Sequence, residues 1–389
     1  MKNLYQGDRG ILVSYMQLAL KRAGYPLLVD GIFGTNTCRA LADFLQTDRT
    51  PDRICVVDRS VWEKLLPYLR GYATEEGENR ILFEDPVTSV EVPYTSLLTA
   101  AVIDGLLARY PFLKSGEIGK SVMGKPISYL EIGNGEKEVF YNASFHANES
   151  ITTPVLLKFA EEYAQAYEKG TALYGVPAAE LFEEYRLFLV PLVNPDGVDL
   201  VNKLLTDGGY YRRAQQIASD YPAIPFPAGW KANIEGIDLN LQFPAGWENA
   251  KRIKYAQGYT KPAPRDYVGE APLTAPESEA VYAFTRSHDF RLILAYHTQG
   301  EVIYWKYLDY EPARSYEIAQ YFGRVSGYTV EETPAQSGYA GYKDWFIQEY
   351  DRPGYTIEAG MGENPLPMSD FAGIYRDNTG ILLGGMTQI

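Results

Sequence analysis

Glu138-Val139-Phe140-Tyr141-Asn142-Ala143-Ser144 runs directly into Phe145-His146-Ala147-Asn148-Glu149, and a longer amphipathic run follows over residues 153–168. The first stretch is short, apolar and bounded by polar residues, so it predicts a strand. The last is long enough for several helical turns and predicts a helix. A strand that hands over to a helix through a polar turn is the unit from which sheets covered by helices are built. The same change of period recurs along the chain. Residues 185–193, 292–296 and 354–357 predict further strands, and 276–287 and 313–323 further helices. Thr274 with Glu277 fits a capping box for the first of these helices. Residues 93–389 are therefore expected to form one α/β domain, a mixed β-sheet flanked by helices. No internal repeat is present. Two segments, 204–230 and 244–272, are long, aromatic and rich in Gly and Pro, and read as binding loops or lids.

Upstream the pattern is different. Val13, Met16, Gln17 and Leu20 recur at helical spacing and Gly24 stops the run. A turn-rich stretch, Val29-Asp30-Gly31-Ile32-Phe33-Gly34, precedes a second helix that starts near Thr35 and carries Ala40, Leu41 and Phe44. A third is expected from Ser60 to about Leu69. Residues 1–70 thus predict a small all-α three-helix domain in front of the α/β one. The polar, acidic stretch in 71–92 reads as a linker.

The bulk properties exclude several classes of function. The 389-residue chain has a formal net charge of −14. No basic excess exists to neutralise nucleic-acid phosphates or to dock on an anionic membrane. No apolar run is long enough for a membrane span. If Met1 is the native start, the chain has no conventional export signal, and is expected in the cytoplasm or released by another route. Two cysteines, Cys38 and Cys55, are read as small buried hydrophobes in preference to a disulfide.

The chain contains three histidines, His146, His288 and His297. His146 and Glu149 are three residues apart at a strand end, where a tight turn aims both the same way. His297 closes another apolar strand. Two His and one Glu form a common set for catalytic zinc, with one position left for water. A bare His-x-x-Glu is weak by itself, and also fits a capping or surface pair. His288 lies in a helix-end context and reads as structural.

Taken in order, six segments resemble the zinc metallocarboxypeptidase family. They are the hairpin Gly119–Ile127, the zinc turn Ser144-Phe145-His146-Ala147-Asn148-Glu149, the turn Val193-Asn194-Pro195-Asp196-Gly197, Gly236-Ile237-Asp238-Leu239-Asn240, Ala295-Tyr296-His297-Thr298-Gln299 and Tyr355-Thr356-Ile357-Glu358. The resemblance implies one Zn2+ on His146, Glu149 and His297, and Glu358 as general base. It implies Asp238 as the orienting partner of His146, and Asn240 as a substrate contact. Relatives place an Arg after a Trp to stabilise the oxyanion. Lys231 follows Trp230 here and is the candidate, with a solvated loop lysine as the alternative. Tyr339 and Tyr342 are candidates for a substrate-capping tyrosine. Lys343, just before Asp344-Trp345, stands where relatives set side-chain preference, though a surface lysine fits equally.

One departure refines the expectation. Exopeptidases of the family follow the Asn with an Arg that clamps the terminal carboxylate, whereas Asn240 is followed by Leu241 and Gln242. The stretch from Leu239 to Trp247, with Ser337 to Trp345, is similar to bacterial γ-D-glutamyl-meso-diaminopimelate peptidases. Gly7-Asp8-Arg9-Gly10, Met16-Gln17, Gly24 and Asp30-Gly31-Ile32-Phe33-Gly34 resemble the peptidoglycan-binding domain. Together these imply zinc-dependent hydrolysis of the γ-D-Glu–meso-Dap bond in peptidoglycan or muropeptides. Three alternatives stay open at this point: a muramoyl-alanine amidase, an N-acyl amino acid deacylase, and a non-catalytic wall-binding protein.

Overall fold

In the strand of the opening stretch, successive side chains enter different apolar layers. Val139, Tyr141 and Ala143 join one buried cluster and Phe140 the other. Leu292, Leu294 and Tyr296 alternate with Ile293 and Ala295 in the same way. A strand buried on both faces reads as an unbroken apolar run, which is why these segments lack polar alternation.

The computed structural model describes residues 2–46, 55–75, 78–81 and 85–389. Eight strands form one mixed sheet: β1 Lys114–Lys120, β2 Pro126–Ile132, β3 Lys137–Ala143, β4 Tyr185–Val190, β5 Leu292–His297, β6 Val302–Tyr304, β7 Thr329–Glu331 and β8 Gly354–Glu358. Their spatial order is β7-β6-β8-β5-β3-β4-β2-β1. The centre, β8-β5-β3-β4, is parallel, and antiparallel pairings attach β6 on one side and β2-β1 on the other. The three parallel strands β3, β5 and β8 therefore finish at the same edge, where ligands bind in open α/β sheets.

Helices α1 Ile11–Arg22, α2 Thr35–Phe44 and α3 Arg59–Leu69 precede the sheet, as the periodicity predicts. Within this unit, the buried Gln17 amide donates to Asp30, Ile32 and Thr37, and accepts from the Asp30 and Gly31 amides. Its sequence position inside an apolar helix face is explained by this turn-holding role. Two expectations are corrected here. Cys38 and Cys55 are joined in a disulfide. The fold of α2 against the segment before α3 brings their Cα atoms to 5.8 Å, within bonding range.

The second correction concerns the linker. Tyr72–Glu75 and Glu78–Ile81 form an antiparallel hairpin. Beyond it the chain is stitched down: Glu161 accepts from the amides of Val87 and Thr88 at 2.6 and 2.8 Å. Arg22 donates to the carbonyls of Leu69, Pro86 and Val87, and the Tyr15 hydroxyl donates to Pro93 O at 2.8 Å. Val13, Met16, Leu65, Val87, Tyr94, Leu98 and Leu156 belong to a single buried cluster. The change of pattern near residue 70 marks the end of three helices, and the apolar core continues across it.

The remaining helices used below are α4 Ser96–Arg109, α5 Thr152–Glu168, α6 Gly208–Ser219, α7 Trp247–Ala256, α8 Pro276–Arg286 and α9 Tyr342–Tyr350. Helices α6 and α7 lie inside the two segments expected as long loops, so each of those segments contains ordered helix. The capping box at Thr274 is also corrected. The N-cap of α8 is Ala275, Thr274 Oγ1 pairs with Gln242 and Ala271, and Glu277 turns inward to accept from the Val122 amide and Asn233 Nδ2, each at 3.1 Å. Among the described residues no helix is long and apolar enough to cross a membrane.

Candidate active site

Strand β3 stops because Ser144 takes a left-handed backbone, φ 55°. Its amide and hydroxyl are captured by Thr152 and Thr153 at the start of α5. The turn so formed carries His146 and Glu149. Asn194 locks it from the next strand end, donating to Phe145 O and Ala232 O, and the Ala147 amide donates to Lys231 O at 2.9 Å. His297 and Glu358 are register partners at the ends of β5 and β8. Sheet topology alone therefore delivers a His, a Glu and the His-x-x-Glu turn to one place.

His146, Glu149 and His297 face a common point. His146 Nδ1 lies 3.0 Å from Glu149 Oε1, His297 Nδ1 lies 3.0 Å from Glu149 Oε2, and the two Nδ1 atoms are 3.2 Å apart. Among the described residues these form the group of three metal-ligating side chains, with ligand atoms within 4.8 Å of one another. Zinc with ligands at about 2.0–2.1 Å in tetrahedral geometry needs ligand edges of about 3.3 Å; the edge between the two imidazoles meets this at 3.2 Å, and the Glu149 carboxylate sets one oxygen 3.0 Å from each ring. The second nitrogen of His146 meets Asp238 Oδ1 at 3.1 Å. That carboxylate also accepts from the amides of Asn240 and Asp266. Burial opposes ionisation of Asp238, but the neighbouring His146 and these donors hold it far below the usual carboxylate range. An ionised, anchored acceptor fixes both the tautomer and the orientation of His146.

A pocket of about 320 Å³ opens above the triad, lined by His146, Lys231, Asp238, Asn240, Lys343 and Glu358 among others. Burial raises the Glu358 carboxyl above its ordinary value, and the charge of Glu149 adds to this against the opposing pull of His297. Such a group is suited to taking a proton and returning it. Lys231 Nζ donates to Glu149 Oε1 at 2.8 Å, with its side chain 18% exposed. Asn240 Oδ1 accepts from the Tyr342 amide at 2.9 Å, and its Nδ2 is 3.4 Å from His297 Nε2.

Not every candidate lies in the pocket. Tyr342 is corrected: it is fully buried, stacks on Phe145, and shares its hydroxyl with Thr285 at 2.9 Å. As the first residue of α9 it faces the sheet and is unable to cap a substrate. Tyr339 packs over Gly246 and against Tyr307, and is not among the lining residues. Lys343 does line the pocket, but its ammonium is spent on Lys306 O, Asp344 and Thr333 at 2.7, 2.6 and 3.3 Å. His288 sits in an aromatic cluster against Phe188, Phe284 and Phe290. Conversely, Lys254, Arg265, Asp266, Tyr304 and Thr333 line the pocket and carry no motif. Their only signal in the sequence is that Lys254, Arg265 and Asp266 lie in the long 244–272 segment.

A zinc ion held by His146, Glu149 and His297 would supply Lewis-acid chemistry and make water a stronger nucleophile at neutral pH. Glu358 lines the same pocket, where as a general base it would hold a proton from the attacking water and pass it to a leaving amine. Lys231 lines the same pocket, and its charge would favour a carbonyl oxygen that gains negative charge there.

Comparison with known proteins agrees with this geometry. Residues 99–379 match the model of the Peptidase_M14 family, described as zinc carboxypeptidase. The chain is 47% identical over 290 residues to gamma-D-glutamyl-L-diamino acid endopeptidase 1 of Lysinibacillus sphaericus, covering 73% of this chain and 70% of that protein. It is 44% identical over 276 residues to the Bacillus subtilis (strain 168) protein YqgT, covering 70% and 72% respectively. The fold matches that of thrombin-activatable fibrinolysis inhibitor with a TM-score of 0.61, at 17% identity, over 94% of this chain and 90% of that one. The chain belongs to the zinc carboxypeptidase family.

Proposed function

We propose that this enzyme is a γ-D-glutamyl-diamino acid endopeptidase, and that it hydrolyses the bond between γ-D-glutamate and meso-diaminopimelate in peptidoglycan stem peptides. Water adds across the amide. The glutamyl side chain leaves as a γ-carboxylate and the diamino acid as a free amine. The observation that carries this reading is Leu241. It follows Asn240 at the pocket wall and packs with Trp247, Ala250 and Val268. A leucine offers no charged fork to a terminal carboxylate. Gln242 beside it is buried and committed to Val268 O and the amides of Thr274 and Ala275. The name and the identity of the Lysinibacillus relative support the same substrate class. We further propose that α1–α3 engage wall material through the groove lined by Tyr25, Leu27, Leu28, Asp30 and Arg39.

The test is to amidate the substrate's C-terminus. An endopeptidase without a carboxylate clamp should retain kcat/KM for L-Ala-γ-D-Glu-meso-Dap-D-Ala within about tenfold when the terminal carboxylate becomes an amide. A loss beyond about a hundredfold, the scale of a charged bidentate contact, would show exopeptidase recognition instead.

A further inference from the structure

Five basic side chains line the active-site pocket: His146, Lys231, Lys254, Arg265 and Lys343. Four of them spend their polar groups on the protein. His146 faces Glu149 and Asp238, Lys231 donates to Glu149, and Lys254 pairs with Asp266. Lys343 is held by Lys306 O, Asp344 and Thr333. Arg265 differs. Its Nε donates to Asp266 Oδ2 at 2.6 Å, and among the described residues neither terminal nitrogen of its guanidinium has a protein hydrogen-bond partner. An arginine steadied through Nε, with both outer nitrogens free, presents the planar fork that matches a carboxylate.

The backbone that carries Arg265 is fastened to the catalytic segment residue by residue. Ala263 N donates to Gly236 O, the amides of Lys231 and Ala232 donate to Pro264 O at 2.7 and 2.9 Å, and Asp238 N donates to Tyr267 O. The Asp266 amide donates to Asp238 Oδ2 at 3.1 Å. Asp266 itself takes a left-handed backbone, φ 65°, which few non-glycine residues adopt. Its carboxylate ends up between Lys254 and Arg265. Arg265 is therefore fixed beside Lys231 and Asp238, on different elements from those around Lys343.

The chemistry of the substrate gives this fork a target. In a γ-glutamyl linkage the scissile carbonyl belongs to the side chain, and the α-carboxylate stays free. Three carbons separate it from the carbonyl carbon on the acyl side, about 5 Å for an extended chain of ordinary bond lengths. Lys231 sits where the carbonyl oxygen gains charge, and Arg265 is its neighbour. An ordinary α-peptide has no carboxylate at that place. Resting on the function proposed above, we propose that Arg265 binds the free α-carboxylate of the γ-D-glutamyl residue and so selects the γ-linkage.

The test uses the full-length zinc enzyme, wild type and Arg265→Met, on two peptides. One is L-Ala-γ-D-Glu-meso-Dap-D-Ala, and the other is the same peptide with the glutamyl α-carboxylate amidated. Wild type should favour the free acid by at least about tenfold in kcat/KM, mostly through KM, the usual scale of a charge-assisted contact. In Arg265→Met the ratio should fall to near one. Arg265→Lys keeps the charge without the fork and should give an intermediate ratio, which also serves if the Met variant folds poorly. Three results would overturn the assignment: no wild-type preference for the acid, a ratio unmoved by either variant, or an equal drop in kcat on both peptides. If wild type cuts both peptides equally, Arg265 is wrong and the proposed function stands. If it cuts neither, the function falls and the assignment with it.

Discussion

Replacing Lys231 by Met tests whether its charge acts on the reacting carbonyl. Lys231 Nζ sits 2.8 Å from Glu149 Oε1 at a site largely closed to water. Burial disfavours the ammonium, but Glu149 outweighs this and raises its pKa above the ordinary value, so the group is charged throughout the neutral range. A unit charge about 4 Å from a forming oxyanion, at an effective dielectric of about 20, contributes about 4 kcal/mol. Glu149 neutralises part of that field, so about 2–4 kcal/mol is expected. This corresponds to a fall in kcat of roughly 30- to 1000-fold, overlapping the roughly 100- to 1000-fold cost of losing one oxyanion donor. Lys231→Arg should recover most of the loss, because the guanidinium keeps the charge. The assay is steady-state hydrolysis of the stem peptide, with zinc content measured on the same samples. A Met variant with full zinc and kcat within about threefold of wild type would refute the role. A change confined to KM would make Lys231 a ground-state binding group.

Glu358→Gln should keep its zinc and lose at least about a hundredfold in kcat, and near-normal turnover would remove it as the base. Asp238→Asn leaves the second ring nitrogen of His146 without an ionised acceptor, so zinc affinity measured by chelator competition should weaken about 10- to 100-fold, and an unchanged affinity would show that the turn alone orients His146. Among the described residues no cation pairs with the buried Glu277, and burial pushes its pKa up to about 7 against the donors Val122 N and Asn233. Its folded pKa lies above the unfolded value near 4.5, so its contribution is fully present below about pH 4.5 and is lost as pH rises through about 7. The difference amounts to about 3 kcal/mol at most. Urea denaturation across pH 4.5–8 should therefore show a smaller fall in stability for Glu277→Gln than for wild type; parallel curves would contradict this. Gln17→Leu should destabilise the α1–α3 unit by about 2–4 kcal/mol, since it strands donors and acceptors of the 30–37 turn, and a midpoint shift in denaturant of the wrong sign would count against that bookkeeping.

The parts of the molecule that were readable in the sequence are those set by local pattern. Strands buried on both faces appear as short apolar runs, and residues at their C-terminal ends, His297 and Glu358, are brought together by parallel pairing. The His146 turn is local in the chain, so its spacing is visible. What escaped has a non-local cause. Tyr342 looks like a loop aromatic until α9 is seen to press it into the sheet. Cys38 and Cys55 pair because helix packing brings their backbones together. The shared core beyond residue 70 depends on Glu161 and Arg22 reaching across to the 85–88 segment. Arg265 has no motif because its position comes from backbone bonds to a segment some thirty residues away.

The most direct measurement is digestion of L-Ala-γ-D-Glu-meso-Dap-D-Ala by the zinc-loaded enzyme in water enriched in heavy oxygen, followed by mass spectrometry of the products. Cleavage at the γ-D-Glu–meso-Dap bond predicts L-Ala-D-Glu carrying one heavy oxygen on its γ-carboxyl, together with unlabelled Dap-D-Ala. Release of D-Ala with the label on the Dap carboxyl of the remaining tripeptide, or an intact peptide after loading of His146, Glu149 and His297 with zinc, would contradict it.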